Sequence, residues 1–463
     1  MSSTVPGGAA AEASGSSQPS EPGPDRPQAD SRQPDPPCPD LLVPAPAPPL
    51  EQETDAQPLP APRAEAAEEP LPAPAATRKV RLRRTRRFVR RPTVRVISAL
   101  LGVFVIWVAV SVGQATFQNN GQGAAANLAE WARNHHLGPI VTFGEWLSYN
   151  PPKVGGKPSM SLAVPKGEQI APAAATKAKA KDKRPEFAPD IPGTLTSLAG
   201  KPITGEGQWR VVEKVNGEPA ILTTFLRDAT YTSYVNGIAS IDQRLVRFYL
   251  RPGYEDPGYG NWKAPFDVPS GSRAGLLATF NGGFKISDAG GGFYLNGVHF
   301  DTLDNGAASI VYYKNGTIKI GEWGRDFTMN PSIAGVRQNL KLLVDRGKIS
   351  PDLNQDIETN FGATLGGGYY VWRSGLGITS DGRIVYVYGP ALDVQDLAEL
   401  LRRAGAVEGM QMDINPAWMK FDYYQADGRP SDPTPVPLLP AQQASPYSYY
   451  DPSTRDFTAV YAR

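Results

Sequence analysis

The chain has 463 residues, a net charge of +1 and one cysteine, Cys38. That length suits one large domain or two ordinary ones. The near-zero charge argues against a nucleic-acid partner for the chain as a whole, and a single thiol cannot form an intrachain disulfide.

Residues 1–77 are Pro, Ala, Glu, Ser and Gly with hardly any aromatic or β-branched side chains. Such a stretch buries too little apolar surface to offset its chain entropy, so it reads as a disordered tail. Residues 78–95, RKVRLRRTRRFVRRPTVR, carry ten basic side chains and no acid. The uncharged run VISALLGVFVIWVAVSV follows directly, and the next charge is Glu130. As a helix rising about 1.5 Å per residue, residues 96–117 reach across the roughly 30 Å of a bilayer core. A signal-peptide core would lie nearer Met1 and end in a small-residue cleavage site. The sequence therefore predicts a single-pass cell-membrane protein. The basic cluster keeps the N-terminal tail cytoplasmic and places the C-terminal part outside. The same cluster would attract anionic lipid.

Residues 118–192 read as a helical stalk and linker. AAANLAEWARNHHLGPIVTFGEWLSY predicts two helical pieces broken at Gly138-Pro139. His135 and His136 are adjacent, so they face different sides and do not form a metal pair. APAAATKAKAKDKRPEFAPDIP, ending at Pro192, has the composition of a linker.

Residues 193–463 read as one globular domain. QWRVVEKVNGEPAILTTFLR predicts a hairpin at Asn216-Gly217, and SIVYYKNGTIKIGEW another at Asn315-Gly316. SIDQRLVRFYLRPG, LLATFNGGF, LKLLVDRGKI, LGITSDGRIVYVYG and RDFTAVYAR add further strands. A long proline-rich excursion before the last strand reads as a lid or as cover for a sheet edge. LDVQDLAELLRRAG predicts a helix, with Asp393 as N-cap, Arg402 and Arg403 in the last turn, and Gly405 beyond it. A strand precedes this helix and another, ending at Asp413, follows it. That order predicts parallel pairing through a right-handed crossover, with Asp413 at a strand's carboxyl end, where α/β sheets place ligands. The expected fold class is mixed α/β (α+β), a twisted mixed sheet with flanking helices.

Asn281, Gly282 and Gly283 follow an apolar strand, and the glycines permit close backbone approach to a ligand. Arg373 could fork onto a phosphate or carboxylate, or form an ordinary ion pair. Asn296 and His299 share GGFYLNGVHF, and a lone histidine is more often structural than catalytic. No P-loop, Ser-His-Asp order, H-E-x-x-H or Cys/His spacing is present, so no metal or cofactor is expected.

The order ATFNGGF, GGGFYLNGV, SIAGVRQNLKLLVDRGK, WRSGLGITSDGRIVYVYG, helix and GMQMDIN resembles the phosphodiester glycosidase family over roughly residues 278–419. The resemblance implies an enzyme that hydrolyses the glycosidic bond of a sugar-1-phosphodiester on a compact mixed α/β fold. Asn281, Gly282 and Gly283 match the family's N-G-G segment. Gly291, Gly292, Asn296 and Gly297 match its glycine-rich turn, Gly335 its next glycine, and Arg373 and Gly377 its R-x-x-x-G. Asp413 matches the acid of L-D-G-G-G-S, although Ile414, Asn415, Pro416, Ala417 and Trp418 replace the glycines and serine.

This makes Asp413 the expected catalytic residue. Asn281, Gly282, Gly283, Asn296, His299, Arg373 and Asn415 are the expected substrate-binding residues. A second carboxylate is left open among Asp288, Asp301 and Asp422. The expected partner is a carbohydrate or sugar-phosphate polymer: a wall polymer, an exopolysaccharide or a glycolipid. The alternative is a non-catalytic glycan-binding or scaffold module, with the aromatic side chains of WMKFDYY and SPYSYYDP stacking on sugar rings.

Overall fold

The computed structural model describes residues 92–118, 123–158, 168–169, 191–258, 260–354, 360–362, 364 and 369–463, all within one compact unit, Arg81–Arg463. The expected tail with Cys38, most of the basic segment and most of the linker lie outside the described residues.

Three helices come first: α1 (Pro92–Thr116), α2 (Ala124–Asn134) and α3 (Gly138–Ser148). Among the described residues, α1 alone is long and apolar enough to cross a membrane. The two helical pieces expected around Gly138-Pro139 are present: α2 ends at Asn134, and Gly138 and Pro139 open α3, whose first turn needs no N–H from proline. The remainder is mixed α+β, with strands in three sheets among the described residues.

The large sheet runs in the order β1 (Glu168–Gln169), β2 (Arg210–Val215), β3 (Glu218–Arg227), β4 (Val235–Ile241), β15 (Ile384–Leu392), β14 (Val371–Thr379), β16 (Ala406–Gln411), β12 (Leu342–Asp345), β13 (Lys348–Ile349). A second sheet runs β10 (Ile318–Glu322), β9 (Ala308–Tyr313), β11 (Ile333–Gln338), β7 (Phe293–Leu295), β8 (Val298–Phe300). The third runs β18 (Thr434–Pro437), β17 (Phe421–Gln425), β6 (Leu276–Asn281), β19 (Phe457–Ala462), β5 (Val246–Arg251). Two short helical elements complete the fold, α4 (Ile286–Ala289) and α5 (Val394–Arg403).

Turn chemistry sets the hairpins. Asn216 and Gly217 both take positive φ between β2 and β3, as do Asn296 and Gly297 between β7 and β8. Such turns match the twist of the flanking strands. The segment from Ser240 to Gly253 is not one strand: a turn at residues 242–245 splits it into the end of β4 and β5, which belong to different sheets. At the N-terminus of α5, the Asp393 side chain accepts from the Asp396 N–H and the Asp396 side chain returns the bond, closing a capping box.

The parallel pairing expected around α5 is corrected by the ladders. β15 and β16 do not touch; β14 lies between them and pairs antiparallel with both. The helix therefore crosses over an intervening antiparallel strand, and Asp413 leaves an antiparallel sheet.

Two cores sandwich the large sheet. Alternate residues of a strand face opposite sides. On β15, Ile384, Tyr386 and Tyr388 face the core shared with the other sheets, while Val385 and Val387 face the core beneath α5. The same alternation on β14 decides which residues can reach the site.

Candidate active site

Asp413 lies two residues past β16 and is 3 % exposed. Its carbonyl accepts from Ser374 Oγ at 2.7 Å, and its N–H donates to the Gly282 carbonyl at 3.2 Å. Those bonds join the end of β16 to β14 and to the loop after β6. The INPAW segment forms a tight turn over the carboxylate. The Asn415 N–H donates to Asp413 Oδ1 at 2.8 Å, and Asn415 Oδ1 accepts from the Ala417 N–H at 3.0 Å. Burial pushes the Asp413 carboxyl up to about 6, against the opposing pull of Arg455 and of the Asn415 and Ile414 N–H groups.

Arg455 faces Asp413. Its Nη2 lies 3.5 Å from Asp413 Oδ2 and 3.6 Å from Asp256 Oδ2, and donates to the Gly283 carbonyl at 3.2 Å. The guanidinium sits 4.7 Å from the centre of the Trp418 ring. Its side chain is only 6 % exposed, yet Nε and Nη1 have no hydrogen-bond partner, nor does Trp418 Nε1. Buried donors without acceptors are costly, so this corner of the cleft is prepared for an acceptor-rich group. Trp418 supplies one of those donors and a ring beneath the arginine.

A small inner recess and an outer cleft of about 700 Å3 meet at Asp413, Trp418 and Arg455. Asn281, Gly282, Gly283 and Lys420 line the recess; Asn415 and Asp288 line the outer cleft. Glu130, Arg133, Asn134, Gly138 and Thr142, from the helices read as a stalk, form part of its wall. Lys285 is paired with Glu130 and donates to Asn134 Oδ1, tying α2 to this rim.

Asn281 lines the recess, but its amide is saturated. Oδ1 accepts from Tyr386 Oη at 2.6 Å and the Lys420 N–H at 3.1 Å, while Nδ2 donates to the Gly282 carbonyl at 2.8 Å and Ser374 Oγ at 3.2 Å. It is a knot between strands that positions Gly282 and Ser374, and through them Asp413. The Gly282 N–H is likewise taken by the Asp456 carbonyl at 3.0 Å.

Arg373 does not reach this cleft. It shares a face of β14 with Gly375, whose missing Cβ would meet Leu397 and Leu401 of α5, whereas Ser374 faces the site. The Arg373 guanidinium donates to the Leu392 carbonyl at 2.9 Å and Gln411 Oε1 at 3.1 Å, and burial lowers its pKa to about 10. Asn296 and His299 also lie elsewhere. Asn296 forms the β7–β8 turn, and the His299 ring packs 4.7 Å from that of Tyr294. Of the three possible second carboxylates, Asp288 lines the outer cleft. Asp422 is buried against Lys420 at 3.1 Å, and Asp301 is exposed in a positive-φ turn.

The cleft floor rests on a fully buried ion pair, Arg337 Nε to Asp456 Oδ2 at 3.1 Å. A Cβ on Gly282 would lie 2.2 Å from Asp456 Oδ2. Gly282→Ala should therefore lower stability by about 3 kcal/mol, read as a shifted urea midpoint, because Asp456 cannot move without leaving Arg337.

Arg455, Arg337 and Ser374 are the site residues that the sequence does not single out; Trp418 is noted there only as a departure from the motif and as a possible stacking ring. The one local trace of Arg455 is the STRDF segment, a charged pair set against the last strand.

No protein-family profile matches the chain, and no curated protein matches it. Among solved structures, the zebrafish N-acetylglucosamine-1-phosphodiester alpha-N-acetylglucosaminidase catalytic domain, auto-inhibited by its pro-peptide, aligns at 13 % identity and TM-score 0.36, covering 55 % of this chain and 87 % of that one. A hypothetical protein from Synechocystis aligns at 10 % identity and TM-score 0.29, covering 55 % and 65 %. Both likenesses are distant and concern the fold.

Proposed function

We propose that this protein is a membrane-anchored hydrolase that cleaves the glycosidic bond of sugar-1-phosphodiesters outside the cytoplasm. One observation carries this reading: buried, unpartnered donors of Arg455 and Trp418 meet a carboxyl raised to about 6 in a single cleft. The motif order around Asn281 and Asp413 supports it.

Arg455 Nε and Nη1 with Trp418 Nε1 hold the phosphate oxygens, taking the role that the sequence suggested for Arg373. Protonated Asp413 donates to the bridging oxygen as the C1–O bond breaks, so the bond's electron pair leaves on the phosphate. Water adds to C1 and releases one proton to solvent, which reprotonates Asp413, leaving a free sugar and a phosphomonoester. Because a phosphodiester leaves readily, the larger contribution comes from holding its charge.

Arg455→Met should raise KM for an N-acetylglucosamine-1-phosphodiester about 10- to 100-fold, since hydrogen bonds to a charged group contribute about 1.5–3 kcal/mol. Arg373→Met should leave KM near the wild-type value and lower stability by about 1–3 kcal/mol, by stranding the acceptors it now satisfies. Steady-state kinetics beside thermal melts separate the two. An unchanged KM in Arg455→Met removes the phosphate assignment.

A further inference from the structure

The cleft wall made by α2 and α3 lies close to the helix able to cross a membrane. α2 folds back along the last turns of α1. Asn127 Nδ2 donates to the Thr116 carbonyl at 3.4 Å, Trp131 Nε1 donates to Ser111 Oγ at 2.9 Å, and the His135 ring lies 6.1 Å from that of Trp107. The apolar run ends at Val112, so the corner joining α2 and α3 returns to a level five residues, about 8 Å, inside that end. Amphipathic helices seated in a bilayer surface bury their apolar side about 5–10 Å deep.

α3 has the composition for that position. Ile140 and Leu147 are 67 % and 71 % exposed, and Leu137 just before the helix is 39 % exposed. At about 100° per residue these three fall on one side of the helix, while Gly138 and Thr142, which line the cleft, fall on the other. The charges at this level are matched, Arg133 with Glu145. One helix, about 10 Å across, thus separates the apolar side from the cleft that ends at Asp413.

We infer that the apolar side of α3 is seated in the bilayer surface beside α1, so that the cleft takes a sugar-1-phosphodiester whose other ester arm is a membrane lipid. The inference rests on the membrane-anchored hydrolase proposed above, and selects a glycolipid phosphodiester over a polymer in the aqueous phase.

The full chain, with Cys38→Ser and a single Leu147→Cys bearing an environment-sensitive fluorophore, is reconstituted in phosphatidylcholine–phosphatidylglycerol vesicles. The label at 147 should shift to the blue and be quenched by nitroxide-bearing lipids, whereas one at Lys319→Cys, on an exposed strand position, should not. Emission at 147 typical of water, without lipid quenching, overturns the seating of α3. In parallel, Ile140→Ser/Leu147→Ser should lower hydrolysis of a vesicle-embedded long-chain lipid ester of N-acetylglucosamine-1-phosphate by about tenfold or more, with the soluble methyl ester unaffected. Equal loss on both substrates, or loss on neither, overturns the substrate assignment. Hydrolysis of neither substrate by the unsubstituted chain removes the hydrolase reading instead, and the label at 147 still decides where α3 sits.

Discussion

Asp413→Asn should lower kcat/KM on a sugar-1-phosphodiester by about 10²- to 10³-fold, at the lower part of the range for a lost general acid because the leaving group is good. The same substitution should stabilise the fold at neutral pH. The native carboxyl titrates at about 6 and its ordinary value is 3.8. Between those values the native state holds a proton that the unfolded chain has released. Stability is therefore greatest below pH 4, falls as pH rises toward 6, and is level above it. About two units at about 1.4 kcal/mol each give a difference near 3 kcal/mol. Asparagine cannot ionise, so the variant should exceed the parent by about that amount at pH 7–8 and by nothing below pH 4. Thermal melts across pH check this. kcat/KM of the parent should fall through an apparent pKa near 6 as pH rises, since the acid form does the work. A rate that rises through pH 6 would instead make Asp413 a base.

Asp456→Asn should lower stability by about 3–5 kcal/mol, because the fully buried Arg337 then keeps its charge without its counter-ion. Arg337 would retain the Gln338 and Phe284 carbonyls, but these are neutral acceptors. The double variant Arg337→Met/Asp456→Leu should recover most of the loss, since an apolar replacement of a buried pair is often neutral. Chemical denaturation of the two variants decides it; additive losses would mean that the pair is not the cause. The pair also bears on the site. The Asp456 carbonyl accepts from Gly282, and Arg455 is the preceding residue, so loosening it should blunt activity as well.

Much of this fold was legible where the determinants are local. Asn-Gly turns at 216–217 and 315–316, the cap of α5 and the strand before Asn281 each carry their own chemistry within a few residues. The place of Asp413 just past the strand after α5 was legible, although the pairing inferred around that strand was not. A helix between two strands is compatible with direct parallel pairing and with a skipped antiparallel neighbour, and only long-range contacts choose. Arg373 shows how a single step matters on a strand: residue 374 faces the cleft and 373 faces α5. Arg455 was illegible for a different reason. It meets Gly283 across 172 residues of chain, and that meeting depends on β19 pairing with β6. The helices after α1 carried an amphipathic pattern, but nothing local to say that one side would wall a cleft.

The central proposal is that this cleft breaks the sugar–oxygen bond of a phosphodiester. Hydrolysis of an N-acetylglucosamine-1-phosphodiester in ¹⁸O-labelled water tests it most directly, with the released phosphomonoester weighed by mass spectrometry. Release should depend on Asp413 and Arg455, with no ¹⁸O in the phosphomonoester, because water adds to the sugar carbon. Heavy oxygen in the phosphate, or binding of the glycan without any release, would contradict it.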